Sequence, residues 1–189
     1  MKHLGTVQLE TDRLILRRFT EADDTAIYQN WANDHDVTKF LMWPTHSSID
    51  VTRQVLKDIW LDKYGQSDFY QWAIEIKKSG TLIGSIGVVK QDDETHMVHI
   101  GYCIGKDWWR NGYTSEALIR LVQFFFEDVG VNRIESRHDP RNPNSGKVML
   151  KAGLRYEGIS RESDWNNQGI CDAANYAILA KDYFKEGGG

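Results

Sequence analysis

Proline is scarce: the 189 residues hold three, and no Gly/Ser or Pro tract interrupts them. Low complexity and disorder are poor readings of such a chain. Cysteine is nearly absent as well. Cys103 and Cys171 form no CxxC pair, which argues against zinc or redox use. Both sit in apolar, strand-like stretches and read as reduced packing residues. The six histidines lack the HExxH and Cys/His spacings of metal sites, so no metal is expected. No apolar run approaches the ~18 residues of a spanning helix, so no membrane partner is expected. The opening MKHLGTVQLE has no apolar signal core, which predicts a cytoplasmic protein. A positive surplus is also missing. Lys plus Arg is 23 against 27 for Asp plus Glu, a formal charge of −4. That balance argues against nucleic acid as a partner and leaves room for a small basic phosphate pocket.

What remains is ordinary globular composition, 41% hydrophobic and 26% charged. At ~150 residues per domain, the length suits one unit over 1–186, with 187–189 (Gly-Gly-Gly) set aside as a tail.

Periodicity predicts a first strand over 10–18 and a helix from Thr20 to about Asn33. Thr20 is its cap and Asp23 the acid three residues on. A second amphipathic helix covers 49–64. Strands over 69–77, 82–90 and 95–104, joined by turn-like Lys78-Ser79-Gly80 and Gln91-Asp92-Asp93-Glu94, predict an antiparallel meander. A helix from Gly112 or Tyr113 to about Asp128 shows Ala117, Leu118, Leu121, Val122 and Phe125 on one face and closes at Gly130. A strand over 133–138 follows. Strand–helix–strand in one sheet implies a right-handed crossover and a parallel pair. A short helix over 144–152 and strands over 154–162 and 170–180 complete an α+β, mostly antiparallel mixed sheet.

The chemistry concentrates in Trp108-Trp109-Arg110-Asn111-Gly112-Tyr113-Thr114-Ser115-Glu116-Ala117. A strand ends before it and a helix starts inside it. The first amides of that helix lack intrahelical partners, and the dipole adds about half a positive charge. Gly112 permits close backbone approach, and Arg110 adds a full charge at the rim, so the turn suits a pyrophosphate. The plainer reading is a strand-to-helix turn that needs glycine for steric reasons. Two other phosphate loops are excluded. A Walker A loop ending at Gly146-Lys147 would need Gly at Arg141 and Ser or Thr at Val148, and no GxGxxG follows a strand. A second segment runs from Asp139 to Gly158. In it Asn142 or Asn144 would cap a short helix, with Ser145 at its start and Lys147 and Lys151 on one face.

Four pieces in order resemble one superfamily. They are Thr11-Asp12-Arg13-Leu14; Gly101-Tyr102-Cys103-Ile104 followed by Trp109-Arg110-Asn111-Gly112-Tyr113-Thr114-Ser115-Glu116-Ala117-Leu118; Asn142-Pro143-Asn144-Ser145; and Lys151-Ala152-Gly153-Leu154-Arg155-Tyr156-Glu157-Gly158. They are similar to the motifs of the Gcn5-related N-acetyltransferases (GNAT), and within them to the RimJ/RimL-like ribosomal-protein N-terminal acetyltransferases. The likeness covers about 8–184. Departures are Trp109, where Gln or Arg is frequent, Thr114, where a small residue is common, and His99, where a glutamate usually precedes the Gly-Tyr pair.

The resemblance implies a GNAT-like sheet whose central parallel pair splays as a V, acetyl-CoA as cosubstrate, and an amine acceptor. It implies that backbone groups of Tyr102, Cys103 and Ile104 pair with the pantetheine amides. Amides of Arg110, Asn111, Gly112, Tyr113, Thr114 and Ser115 hold the pyrophosphate, Asn142 contacts the pantetheine side, and Lys147 reaches phosphate. A backbone N–H near Ile104 meets the acetyl oxygen. Ser145 protonates or hydrogen-bonds the leaving thiolate, and Asp164 is the base, with Glu162 as its rival. Helix capping by Ser145 and a polar turn over 162–167 are the structural alternatives. A protein or peptide N-terminal amine is the first acceptor expected. Small-molecule amines and a non-catalytic acyl-CoA sensor are the competitors, and a homodimer through the last strand is possible.

Overall fold

The computed structural model describes residues 1–186; the tail 187–189 lies outside the described residues. One eight-stranded sheet runs through it in the order β1-β2-β3-β4-β5-β6-β8-β7. The strands are β1 (Leu9–Glu10), β2 (Leu14–Arg17), β3 (Gln71–Ile76), β4 (Thr81–Asp92), β5 (Met97–Ile104), β6 (Arg133–His138), β7 (Arg155–Asn166) and β8 (Gly169–Leu179). Every neighbouring pair is antiparallel except β5 with β6. The expected mixed sheet with one parallel pair is therefore present.

Helices cover both faces. On one lie α1 (Asp24–Ile27), α2 (His35–Thr38) and α3 (Ile49–Val55). A tight turn, Glu21–Asp23, precedes α1, and wide turns at Tyr28–Ala32 and Leu56–Trp60 extend α1 and α3. On the other lie α4 (Tyr113–Phe124), lengthened by a wide turn to Val129, and α5 (Pro143–Lys151). The last helix, α6 (Ala180–Glu186), follows β8 directly.

Strand alternation sorts the core between the faces. Trp72, Ile74, Ile83 and Ile100 pack with Leu118, Leu121 and Phe125 of the α4 side. Their neighbours Ala73, Leu82 and Cys103 pack with Ile27, Trp31 and Leu56 of the α1–α3 side. Each fully buried large side chain contributes ~1.5–3 kcal/mol. Edge-on contacts such as Trp72 on Phe124, with centroids 5.8 Å apart, add geometric specificity.

Three sequence expectations need correction. The first strand is not continuous over 10–18. It breaks at 11–13, where the Thr11 hydroxyl accepts from the Leu14 N–H (2.9 Å) and turns the chain. Asn142 stands before α5 but its side chain does not cap it; Pro143 opens the helix instead, needing no partner for a missing N–H. The 162–167 segment is not a polar turn, because β7 runs to Asn166. The helix α6 lies beyond the last element that the sequence predicts. Among the described residues no helix is long and apolar enough to cross a membrane. None holds a group of three or more His, Cys, Asp or Glu that could bind a metal.

Candidate active site

The parallel pairing of β5 and β6 covers only Met97↔Arg133, Val98↔Ile134 and His99↔Glu135. Both strands then continue, β5 to Ile104 and β6 to His138, without pairing further. The Ser136 hydroxyl spans the opening and donates to the Ile100 carbonyl at 2.9 Å. Beyond it lies a V-shaped gap. Its β5 edge carries free donors: the Gly105 N–H bonds the Ile83 carbonyl on β4 (2.8 Å), so alternation turns the Ile104 and Tyr102 N–H groups to the opposite edge, into the gap. Cys103 faces β4 and the α1–α3 core. Burial pushes its thiol up to about 12, which leaves it a wall and not a nucleophile.

The gap opens toward the start of α4. Gly112 is left-handed (φ 80°), and so is Arg110 (φ 63°), so the backbone curls tightly before the helix. Gly112 has no side chain with which to cap the helix. Glu116 makes the first helical bond, to the Gly112 carbonyl. Among the described residues nothing accepts from the N–H groups of Tyr113, Thr114 or Ser115. Three orphan donors on a helix N-terminus, with Arg110 at the rim, form an anion cradle. A left-handed non-glycine residue at such a turn is strain of the kind found at ligand sites.

A carboxylate that sequence reasoning left unassigned holds this turn. Glu116 accepts from Thr11 Oγ1 (2.5 Å), Arg13 N (2.9 Å) and Arg13 Nε (2.6 Å). Arg13 also donates to the Asn111 carbonyl (3.1 Å) and stacks on the Tyr113 ring at 4.4 Å. Burial works against the charged form of Glu116, yet these donors hold its carboxyl below the ordinary range. The break between β1 and β2 thus braces the anion loop. On the other side, Trp109 Nε1 donates to the Ile104 carbonyl (2.9 Å) and Asn111 Nδ2 to the Trp109 carbonyl (3.1 Å).

Across the gap stands α5. The Tyr102 hydroxyl donates to the Ser145 carbonyl at 2.9 Å, tying β5 to the first turn of that helix. The Ser145 hydroxyl makes no hydrogen bond among the described residues, and it lines the cavity. Gly146 allows the close approach: a Cβ there would meet His138 Nε2 at 2.6 Å and the Tyr176 hydroxyl at 2.8 Å. The turn before α5 is built on Asp139. It accepts from Arg141 Nε (3.0 Å) and Nη2 (2.6 Å) and from Asn166 Nδ2 (2.9 Å), while the Asn142 N–H bonds its carbonyl (2.7 Å). Led by Arg141, these contacts hold the Asp139 carboxyl well below the usual range. Asn142 and Lys147 line the same cavity. Replacing Tyr102 by Phe should lower stability by ~1–2 kcal/mol, since the Ser145 carbonyl loses its donor. Urea unfolding checks this, and unchanged stability would show that the strut is slack.

Asp164 lines the far end of the cavity, on β7. Both its oxygens are engaged. Arg137 Nε reaches Oδ2 at 2.8 Å and Nη2 reaches Oδ1 at 3.1 Å, where the Trp165 N–H also donates (3.0 Å). Arg137 was not foreseen, because β8 lies between its strand and that of Asp164. Glu162 has a left-handed backbone (φ 46°), is exposed, and does not line the cavity. His99 sits at the last rung of the parallel pair. Burial, with Arg137 beside it, pushes its imidazole down to about 4, so it is neutral near pH 7. The whole cavity is about 1060 Å³. It runs continuously from the α4 cradle past Ser145 to Asp164, room enough for an extended ligand and a second reactant.

Comparison with known proteins agrees with this geometry. The acetyltransferase (GNAT) domain family matches residues 13–155. The chain is similar to YoaA of Bacillus subtilis, named an uncharacterized N-acetyltransferase, at 32% identity over 171 residues, 90% of this chain and 96% of YoaA. It is similar to the ribosomal-protein-serine acetyltransferase of Escherichia coli at 25% identity over 141 residues, 74% of this chain and 76% of the relative. A GNAT-family acetyltransferase structure from Bacillus anthracis superposes with a TM-score of 0.81 at 25% identity, covering 93% of this chain and 99% of the other. With the splayed strand pair and the helix-start cradle already in place, these matches leave one assignment: the chain belongs to the GNAT family of N-acetyltransferases, whose fold uses acetyl-CoA.

Proposed function

We propose that residues 1–186 form one unit that transfers an acetyl group from acetyl-CoA to the α-amine of a protein or peptide N-terminus in the cytoplasm. The observation that carries this reading is the gap between β5 and β6. It offers free N–H groups of Tyr102 and Ile104 along one edge and orphan donors of Tyr113, Thr114 and Ser115 at its end. A chain of amides ending in a diphosphate fits that series of donors. Tyr102 and Ile104 would hold the pantetheine and Cys103 its wall. Arg110, Asn111, Gly112, Tyr113, Thr114 and Ser115 would hold the pyrophosphate, Lys147 would reach phosphate, and Asn142 would contact the pantetheine side.

Bound acetyl-CoA supplies an acetyl group already activated as a thioester. The Ile104 N–H, aimed into the gap, is the donor for a carbonyl oxygen gaining charge. The unengaged Ser145 hydroxyl donates a hydrogen bond to the departing thiolate, which then takes up the proton that the amine releases through Asp164 and solvent. Asp164 receives the proton from the attacking amine, directly or through water. An α-amine, with pKa ~7.7–8.0, is partly neutral near pH 7; a lysine at ~10.4 is ~2.5 units further away, or roughly 3.4 kcal/mol. A carboxylate whose oxygens already accept from Arg137 suits the easier task. The likeness to a relative named for a ribosomal-protein serine supports the same acceptor class.

The test is an acceptor screen that follows thiol release with peptides, free amino acids, polyamines and aminoglycosides. N-terminal peptides should be consumed. Asp164→Asn and Ser145→Ala should each lower kcat by roughly 10²–10³, the scale of a positioned acid or base, with acetyl-CoA affinity unchanged. Wild-type turnover in both variants would refute the assigned roles. Acetyl-CoA binding without turnover of any amine would favour the sensor reading.

A further inference from the structure

Past the end of the V, the cavity extends along the α1–α3 side and the segment after α2. Its walls there are Trp31, Phe40, Leu41, Trp43, Trp60 and Trp165. Apolar lining residues also reach solvent: Met42 and Ile59 are each 47% exposed and Trp165 53%. Charge tells the same way. Among the described residues, the acids lining the cavity are Asp139 and Asp164, and each is paired with an arginine. Lys63, Arg110, Arg137, Lys147 and Lys151 line it too. A second ammonium on the acceptor would therefore find no unengaged carboxylate to pair with.

Asn167 ties this wall to the β7 end of the sheet. Asn167, in the turn joining β7 to β8, bonds its N–H to the Leu41 carbonyl (3.1 Å). Its Nδ2 donates to the carbonyls of Thr38 (2.9 Å) and Trp43 (2.8 Å). The segment carrying Phe40, Leu41 and Trp43 is thereby strapped to the strand that carries Asp164 and Trp165.

We infer that the acceptor is an amine borne on a single bulky apolar or aromatic body without a second positive charge, and that Asn167 is the positioning residue for the wall receiving that body. This rests on the acetyl-transfer reading above and narrows it. The same chemistry is presented by a peptide whose first residue is apolar or aromatic and by a free aromatic monoamine.

The experiment compares five acceptors: a Phe-initiated tripeptide, a Ser-initiated tripeptide, phenethylamine, spermidine and an aminoglycoside. Thiol release gives kcat/KM, and calorimetry on protein saturated with CoA gives acceptor binding without reaction. The Phe-initiated peptide or phenethylamine should exceed the Ser-initiated peptide roughly ten-fold and spermidine roughly hundred-fold, the scale of burying one aromatic ring and of avoiding one unpaired charge. Preference between those two identifies the source. Asn167→Ala should raise acceptor KM roughly ten-fold with acetyl-CoA KM unchanged in the folded variant, where a general loosening of the structure would raise both. Equal or better turnover of spermidine or the aminoglycoside overturns the inference and leaves acetyl transfer standing. If no amine is consumed, the transfer reading fails, and calorimetry still decides the chamber: selective binding of the aromatic amine upholds it, and equal or absent binding overturns it.

Discussion

Gly112→Val should weaken acetyl-CoA binding by at least roughly a hundred-fold while leaving the protein folded. Gly112 is left-handed (φ 80°), a conformation that costs an ordinary residue ~1–2 kcal/mol and a β-branched one more. A Cβ there would touch only Arg13 Nη2, at 3.5 Å, so the fold itself has space for it. The strain is relieved by turning the peptide planes before α4, and that rotates the orphan N–H groups away from the diphosphate. Hydrogen bonds to a charged partner are worth ~1.5–3 kcal/mol each, so misdirecting even two accounts for the loss. Calorimetry with acetyl-CoA, alongside a melting curve, checks it. Near-normal affinity in a folded variant would mean that the diphosphate lies elsewhere.

Acidification should destabilise the protein through His99. Its imidazole is pushed down to about 4 in the folded protein, by burial first and by Arg137 second, against 6.5 for the free group. Between those values the unfolded chain binds a proton that the native state refuses. Stability is therefore complete above about pH 6.5 and is lost as pH falls toward 4. The gap of ~2.5 units at ~1.4 kcal/mol each amounts to ~3.4 kcal/mol. Depressed carboxylates such as Asp139 add their own loss at lower pH. The His99→Gln variant separates the two, since it has nothing to titrate at that position. From pH 7 to 4.5 the wild type should lose ~2–3 kcal/mol more than the variant in urea unfolding. Parallel curves would show that His99 is protonated as readily folded as unfolded.

Much of the scaffold was legible because single residues determine it locally. The apolar face of α4, from Ala117 to Phe125, follows directly from 3.6-residue spacing, and Gly130 ends the helix in a left-handed turn (φ 76°). The meander β3–β5 follows from alternation and its two turns. What escaped depends on contacts distant in sequence. The break at 11–13 looks like unbroken strand until Glu116, on α4, is seen accepting from Thr11 and Arg13. The helix α6 is short and carries weak periodicity, and it forms where Tyr183 stacks on Phe126 at 4.9 Å and donates to Glu127. Asp164 was placed by likeness to a family. Its partner Arg137 and the strap from Asn167 lie in stretches that read as ordinary strand and turn. Local pattern thus located the cradle and the walls of the V, while the acceptor end was fixed by tertiary hydrogen bonds that no window of sequence contains.

The central claim is that the parting of β5 and β6 is the seat of acetyl-CoA. A crystal structure of the acetyl-CoA complex tests it most directly. The predicted result is a diphosphate on the N–H groups of Tyr113, Thr114 and Ser115, pantetheine amides on Tyr102 and Ile104, and the thioester beside the Ser145 hydroxyl. Density for the ligand on any other face, with those five donors bound only to water, would contradict it.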